Sequence, residues 1–165
     1  MKLKQISSWV SYPEMDNSLH NKLIKSWLLE DGPITKRIKS EEIFKLNLLK
    51  DEIADVKDLE SNFLGENLGK LKVREVILMG NNIPKVFARS LIPISTIENG
   101  FSELGELGTK PLGDILFEKE FFKRIEVVFA KFTDSEKKFW GRKSKYLVNN
   151  CPLSVMEVFL IGENE

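Results

Sequence analysis

The feature that most constrains the fold is an apolar run near the C-terminus, Leu153-Ser-Val-Met-Glu-Val-Phe-Leu-Ile161. Successive side chains of a strand point to opposite faces. The face of Glu157 carries Leu153, Val155, Phe159 and Ile161, and the other face carries Met156, Val158 and Leu160. Strands that are apolar on both sides lie in the middle of sheets that are covered on both faces. The run therefore predicts a central strand.

Glu157 interrupts this apolar run and is predicted to be buried. An unpaired buried carboxylate is strongly disfavoured, so Glu157 needs a cation or a ligand beside it. If Asn149-Asn150 forms a two-residue turn, Arg142 lies opposite Glu157 and the two form a structural ion pair. Alternatively, Glu157 is the acid or base of a pocket, where perturbed carboxylates concentrate. A longer turn that includes Pro152 would shift the register by two residues.

A second strong pattern is a β-hairpin with arginines in both arms. The runs Lys72–Met79 and Lys85–Ile92 flank turn-forming residues. With a loop at Gly80–Ile83, Arg74 faces Arg89 directly, and like charges in that position repel. The pair would then need an acidic neighbour, either a protein carboxylate or a bound anion. A register slip of one residue would instead send the two arginines to opposite faces.

The remaining strand candidates place these two patterns in one sheet. The six predicted strands are Ile43–Leu49, Lys72–Met79, Lys85–Ile92, Phe122–Phe132, Phe139–Val148 and Leu153–Ile161. All are joined by connections compatible with antiparallel pairing, and the helices lie before and between them. The sequence predicts an α+β fold with a single six-stranded antiparallel sheet. Residues 1–165 are expected to form one domain, with the charged segment Asp51–Gly69 as a long connection containing one helical turn.

A helix is predicted to begin at Pro111, because proline fits the first turn of a helix. The N–H groups of Leu112 and Gly113 would then point outward and could receive an anion. The alternative is an ordinary junction between a loop and a helix.

Composition excludes several kinds of function. The chain has 25 basic and 25 acidic residues, so no overall charge favours nucleic acid or an anionic membrane. No apolar run is long enough to span a bilayer, and the N-terminus lacks the apolar core of a signal peptide. With one cysteine and one histidine, the chain is expected to be cytoplasmic and without a metal site. Acid–base chemistry would fall to carboxylates, lysine or tyrosine.

Together, inward-facing arginines, a helix N-terminus and one buried glutamate suit a small, flat, carboxylated ligand. Apolar walls would hold its ring, arginine its carboxylate, and glutamate a hydroxyl group or a mobile proton.

The same residues resemble the chorismate lyase (chorismate pyruvate-lyase) family from about Trp27 to the C-terminus. The matching segments, in order, are Leu28–Asp31, Thr35–Arg37, Val73–Leu78, Ala88–Thr96, Leu107–Phe117, Trp140–Ser144 and Pro152–Leu160. The resemblance implies conversion of chorismate to 4-hydroxybenzoate and pyruvate, a carbon–oxygen lyase reaction that supplies the head group of ubiquinone or plastoquinone. It also implies helical flaps over an internal site, no metal and no cofactor. The protein is expected to be a monomer.

The resemblance also assigns roles to individual residues. Arg74 would hold the ring carboxylate with the backbone amides of Ile34 and Leu112, and Glu157 would contact the ring 4-hydroxyl group. The second carboxylate of chorismate is expected at Arg89 or Arg142. A competing function is a sensor that binds an aromatic acid without reaction, because the same fold serves as the effector domain of certain bacterial winged-helix repressors.

Overall fold

The computed structural model describes residues 2–56 and 58–162. The helices are α1 (Tyr12–Ser18), α2 (Lys22–Leu28), α3 (Ile34–Lys39), α4 (Asp58–Ser61), α5 (Ile94–Asn99) and α6 (Leu112–Glu118), with a 3₁₀ turn at Ser102–Gly105. The strands are β1 (Lys4–Gln5), β2 (Phe44–Ala54), β3 (Leu71–Gly80), β4 (Ile83–Pro93), β5 (Phe122–Thr133), β6 (Lys138–Val148) and β7 (Cys151–Phe159). The chain is therefore α+β, as predicted.

The strands form one antiparallel sheet in the order β1-β5-β6-β7-β4-β3-β2. The predicted central position of the last strand is confirmed, since β7 lies between β6 and β4. The prediction of six strands is wrong, because the sheet in the described part of the chain has seven. The additional strand pairs Lys4 and Gln5 with Thr133 and Phe132. Two residues are too few to show a period of two, so the sequence pattern did not reveal this edge strand.

Both faces of the sheet are covered. On one face, α1–α3 pack against the sheet in a cluster that includes Phe129 and Phe159, while α6 packs beside Tyr146 and Leu153. The opposite face is covered near Leu64 by the segment that contains α4, and near Phe132 by the N-terminal segment. This arrangement explains why β7 is apolar on both sides.

The turn between β6 and β7 agrees with the two-residue prediction. Asn149 and Asn150 have φ values of 48° and 61°, a backbone conformation that asparagine tolerates better than most residues. Val148 pairs with Cys151, and the same register places Arg142 directly opposite Glu157. The predicted register is confirmed.

The predicted register between β3 and β4 is wrong over most of the hairpin. Met79 does pair with Pro84, as expected, but the turn consists of Asn81 and Asn82 alone. The partner of Leu78 is Val86, so Lys85 is an extra residue in β4 and forms a bulge. Proline cannot donate to a β-ladder and is often found beside such irregularities. Beyond the bulge, the two arginines project from opposite faces of the sheet.

The predicted connection at Asp51–Gly69 is shorter than expected. Strand β2 continues to Ala54, past a bulge between Leu48 and Lys50. The sequence did not predict this extension of β2 because its residues are charged. They lie in an edge strand, where charged side chains remain in water. The predicted single helical turn is present as α4.

A glycine in β6 allows close packing next to the Arg142–Glu157 rung. A Cβ atom at Gly141 would lie 2.7 Å from Phe132 Cε2 and 3.0 Å from the carbonyl oxygen of Glu157. We therefore expect Gly141→Ala to lower the free energy of unfolding by about 1–3 kcal/mol, as overpacking does elsewhere. Urea unfolding measures this effect, with Gly32→Ala as the control because a Cβ there meets nothing within 4 Å. Equal stability of the two variants would contradict this packing.

Candidate active site

A largely enclosed cavity lies between the sheet and the helices α3 and α6. Its apolar walls include Ile34, Leu46, Val76, Leu78, Ala88, Leu112, Leu116, Phe117 and Val155, and its polar groups belong to Thr35, Arg74, Ser90, Arg142, Tyr146 and Glu157. A mostly apolar cavity with a few converging polar groups is the usual form of a small-molecule site. The cavity contains most of the residues that the sequence singled out.

Arg74 lies on the floor of this cavity and is only 2% exposed. Its Nη2 donates hydrogen bonds to the carbonyl oxygens of Gly108 and Lys110, at 3.2 and 2.7 Å. Its Nε has no hydrogen-bond partner among the described residues, and none of their carboxylates forms a salt bridge with it. Burial lowers the pKa of Arg74, and the nearby Asp51 carboxylate only partly opposes that effect. A buried cation without an ionic partner is a strong candidate to bind an anion.

Arg142 and Glu157 form an ion pair in the wall of the same cavity. Arg142 Nε donates to Glu157 Oε1 at 2.9 Å, and the two side chains are 3% and 14% exposed. Arg142 Nη1 also donates to the carbonyl oxygens of Leu28 and Glu30, at 3.1 and 2.8 Å. Burial alone would lower the pKa of Arg142, but the Glu157 carboxylate, together with smaller contributions from Tyr146 and Glu30, outweighs burial, so the net shift of the pKa is upward.

The sequence left two alternatives for Glu157, a structural ion pair with Arg142 or a carboxylate in a pocket. The structure combines them, because Glu157 pairs with Arg142 and also borders the cavity. Glu157 is less buried than predicted because its carboxylate borders the cavity. Within the described part of the chain, its only hydrogen bond is accepted by Oε1. The second oxygen, Oε2, is thus available to accept a hydrogen bond from a ligand.

The helices α3 and α6 begin at the edge of the cavity. The residue before each helix is a proline, Pro33 or Pro111, and no side chain caps either helix. The helix predicted to begin at Pro111 is present, but it begins one residue later, at Leu112, and Pro111 is its N-cap. Ile34 and Leu112, the first residues of the two helices, both line the cavity. Their N–H groups belong to helical first turns, which have no partner within the helix.

Arg89 lies on the opposite face of the sheet, outside the residues that line the cavity. It donates hydrogen bonds to Glu60, at 2.6 and 2.8 Å, and to Glu75 at 2.8 Å. Hydrogen bonds to Glu60 are the main reason that its pKa is raised. The acidic neighbours expected for a cation in this hairpin are thus present, and they pair with Arg89 rather than with Arg74. Of the two arginines considered for a second carboxylate, only Arg142 borders the cavity.

Sequence reasoning did not single out Ser90 or Tyr146, which also line the cavity. Tyr146 lies four residues after Arg142 in β6. Because every second residue of a strand points to the same face, the sequence could have indicated Tyr146 once Arg142 was placed at the site. Burial, with a further contribution from Glu157, raises the pKa of Tyr146. The sequence did not indicate Ser90, because Arg89 was predicted to lie opposite Arg74. In the structure, Ser90 takes that cross-strand position.

No group of three or more His, Cys, Asp or Glu side chains in the described part of the chain is arranged to hold a metal ion. No helix there combines the length and apolar character needed to cross a membrane.

Comparison with solved structures shows a shared fold. The effector domain of PhnF from Mycobacterium smegmatis superimposes with a TM-score of 0.57 at 10% identity, over 79% of this chain and 90% of that one. A GntR-family transcriptional regulator from Enterococcus faecalis V583 gives a TM-score of 0.51 at 12% identity, over 76% of this chain and 96% of that one. Identities this low carry information about the fold alone.

Sequence relatives are more informative. A protein of Psychromonas ingrahamii named probable chorismate pyruvate-lyase is 35% identical over 150 residues, covering 81% of this chain and 80% of the relative. A Pseudomonas putida protein with the same name is 36% identical over 147 residues, covering 82% and 80%. The sequence profile named chorismate lyase matches residues 3–163, which include every residue of the cavity described above. With both the profile and these relatives in agreement, this chain belongs to the chorismate lyase family.

Proposed function

We propose that the protein is a chorismate pyruvate-lyase that converts chorismate to 4-hydroxybenzoate and pyruvate. The observation that carries this proposal is a largely enclosed apolar cavity that contains a buried arginine, Arg74, with no salt bridge to the described residues, together with the Arg142–Glu157 pair. The family supplies the identity of the substrate, and the cavity supplies groups suited to its two carboxylates and its hydroxyl group.

Arg74 is proposed to hold the ring carboxylate. Its Nη2 already donates to two backbone carbonyls, and its Nε, which has no hydrogen-bond partner among the described residues, is proposed to donate to the ligand. The N–H groups of Ile34 and Leu112 are proposed to assist, because both residues border the cavity at the start of a helix. A charged donor with two neutral donors would fix the plane of the carboxylate and therefore the orientation of the ring.

Arg142 is proposed to hold the carboxylate of the enolpyruvyl group. Three hydrogen bonds to protein groups fix its guanidinium in position before any ligand arrives. A preorganised cation at this place would stabilise negative charge that develops on the departing enolate as the bond from ring C3 to the ether oxygen breaks. The enolate then takes up a proton and becomes pyruvate.

Glu157 is proposed to accept a hydrogen bond from the ring 4-hydroxyl group and to assist loss of the proton at C4. Loss of that proton and of the enolpyruvyl group makes the ring aromatic, which supplies a large driving force. The elimination involves no net oxidation or reduction, so binding, orientation and one acid–base group are sufficient for it. The apolar walls would exclude water from the developing charges.

The product would then enter the synthesis of a quinone head group, that of ubiquinone or plastoquinone. We propose that this takes place in the cytoplasm and that the protein acts as a monomer. The absence of an intramolecular disulfide is in keeping with a reducing compartment, since the sequence has a single cysteine.

Incubation with chorismate tests the proposed reaction. We expect near-UV absorbance of 4-hydroxybenzoate to appear, together with an equal amount of pyruvate measured in a coupled assay. Release of one product without the other, or a rate equal to that of chorismate alone, would contradict the proposal.

A second candidate function is a sensor that binds an aromatic acid without changing it. The effector domain of PhnF and the GntR-family transcriptional regulator, which share this fold, favour it. Saturable binding of 4-hydroxybenzoate together with chorismate that stays intact would identify a sensor. We prefer the enzyme because the relatives named chorismate pyruvate-lyase match over about four fifths of their length and are three times as similar in sequence as the regulators.

A further inference from the structure

Tyr146 places a buried phenol in the wall of the cavity. The residue is 7% exposed and lies in β6 on the same face as Arg142. The chain has two tyrosines, and the other, Tyr12, is 48% exposed in α1. In the proposed site, Arg74 and Glu157 bind the two ends of the ring, so the phenol of Tyr146 is available for another part of the substrate.

The strand register determines how a ring held by Arg74 and Glu157 would lie on the sheet. Arg74 pairs with Ser90 of β4, and Glu157 pairs with Ala88, two residues earlier in the same strand. The ring would therefore lie diagonally across β4, over two small side chains that line the cavity. A substituent at ring C3 is next to the 4-hydroxyl group, so it would extend from the Glu157 end to one side of this diagonal.

The two sides of the diagonal differ in polarity. On one side, the sheet face continues with Leu78, Val86 and Phe159, which pair across three strands and are buried in an apolar cluster. On the other side, β6 carries Tyr146 four residues after Arg142, and both side chains line the cavity. The enolpyruvyl group of chorismate has a carboxylate and an ether oxygen, so the polar side is the favourable place for it.

The phenol of Tyr146 stays protonated and can act as a hydrogen-bond donor. Burial raises the pKa of Tyr146, and the negative charge of Glu157 raises it further. The guanidinium groups of Arg124 and Arg142 oppose this shift but do not cancel it. A neutral hydroxyl group thus supplies a donor without adding a further buried charge to the site.

We propose that Tyr146 is a catalytic residue that donates a hydrogen bond to the ether oxygen of the enolpyruvyl group. This inference rests on the proposed function for the identity of the substrate. Arg142 holds the carboxylate of the same group, so the group is bound at two points. Its carboxylate and its ether oxygen are attached to the same carbon, and two donors that converge from one face of β6 suit that arrangement.

The hydrogen bond from Tyr146 strengthens as the reaction proceeds. When the bond from ring C3 to the ether oxygen breaks, its electron pair goes to the oxygen, which becomes an enolate oxygen. The proton at C4 passes to Glu157, and the electron pair of that C–H bond completes the aromatic ring. The methylene carbon of the enolate takes up one proton from solvent, which balances the proton that Glu157 later returns, and Tyr146 keeps its own. Because an enolate oxygen is a better acceptor than an ether oxygen, Tyr146 stabilises the transition state more than the bound substrate.

Single-turnover kinetics of Tyr146→Phe test this role, since phenylalanine keeps the ring and removes only the hydroxyl group. We expect the rate of the chemical step with chorismate to fall about 10²-fold, the effect of removing one donor from an oxyanion hole. The affinity for 4-hydroxybenzoate should not change, because the product has lost the enolpyruvyl group. Tyr12→Phe, the same substitution at the exposed tyrosine, is the matched control and should keep the wild-type rate.

Two results would overturn the role of Tyr146. If Tyr146→Phe reacts at the wild-type rate while Tyr146→Leu is slow, the side chain only fills space and its hydroxyl group is not used. If Tyr146→Phe loses turnover and product affinity to the same extent, the residue acts on the ring or on the shape of the cavity and not on the leaving group.

Failure of this inference is distinct from failure of the proposed function. A wild-type protein that does not consume chorismate refutes the proposed function itself. Normal turnover by the wild type, together with an equal rate in Tyr146→Phe, refutes the role of Tyr146 alone.

Discussion

Replacement of Arg74 by methionine is expected to weaken the binding of 4-hydroxybenzoate by about 1.5–3 kcal/mol, a factor of ten or more. Methionine fills much of the same space but removes the charge and the donor at Nε, which has no partner among the described residues. Binding of chorismate should weaken to a similar extent, since the ring carboxylate is common to substrate and product. Titration calorimetry measures both the affinity and the enthalpy of product binding.

The matched control is Arg89→Met. Arg89 belongs to the same hairpin and makes charged hydrogen bonds to Glu60 and Glu75, but it lies on the other face of the sheet. We expect this variant to lose fold stability and to keep its affinity for 4-hydroxybenzoate. Equal affinities of the Arg74 variant and the wild type would exclude the role assigned to Arg74.

Glu157→Gln is expected to lower turnover of chorismate by about 10²–10⁴-fold, the usual contribution of a general acid or base. Glutamine keeps an oxygen that can accept from Arg142 Nε, so the geometry of the pair can persist, but it cannot take up a proton. Product affinity should change much less than turnover. Single-turnover kinetics separate the chemical step from product release and therefore report the effect directly.

Glu75→Gln provides the control for this substitution. Glu75 also pairs with an arginine across two strands, at 2.8 Å, but on the face away from the cavity. Its replacement removes an equivalent charge from the fold and should leave turnover unchanged. Wild-type turnover in the Glu157 variant would remove Glu157 from the chemistry.

We propose that the Arg142–Glu157 pair contributes more to function than to stability. A buried ion pair often contributes little net stability, because desolvation of two charges offsets their attraction. This pair is incompletely shielded on the side of the cavity, where Glu157 is 14% exposed. Such an arrangement keeps both charges fixed before the ligand arrives, which is what electrostatic stabilisation of a transition state requires.

Much of the sheet was predictable because its signals are local. Asn149-Asn150 predicted a two-residue turn, and that turn alone placed Arg142 opposite Glu157. The apolar character of both faces of Leu153–Ile161 likewise predicted the central strand. In each case a few adjacent residues determine the backbone geometry, so their pattern is sufficient.

The errors came from features without a local signal. The bulge at Lys85 moved Arg89 to the other face, and its position depends on how β4 packs between β3 and β7 rather than on turn chemistry alone. Strand β1 is defined only by its pairing with the distant β5.

We propose that Arg74 and Glu157 contact opposite ends of one ring inside the cavity. A crystal structure with bound 4-hydroxybenzoate tests it most directly. We predict that the carboxylate of the ligand lies within hydrogen-bond distance of Arg74 Nε and that its hydroxyl group lies against the Glu157 carboxylate. A ligand bound outside the cavity, or bound with its carboxylate away from Arg74, would contradict the account.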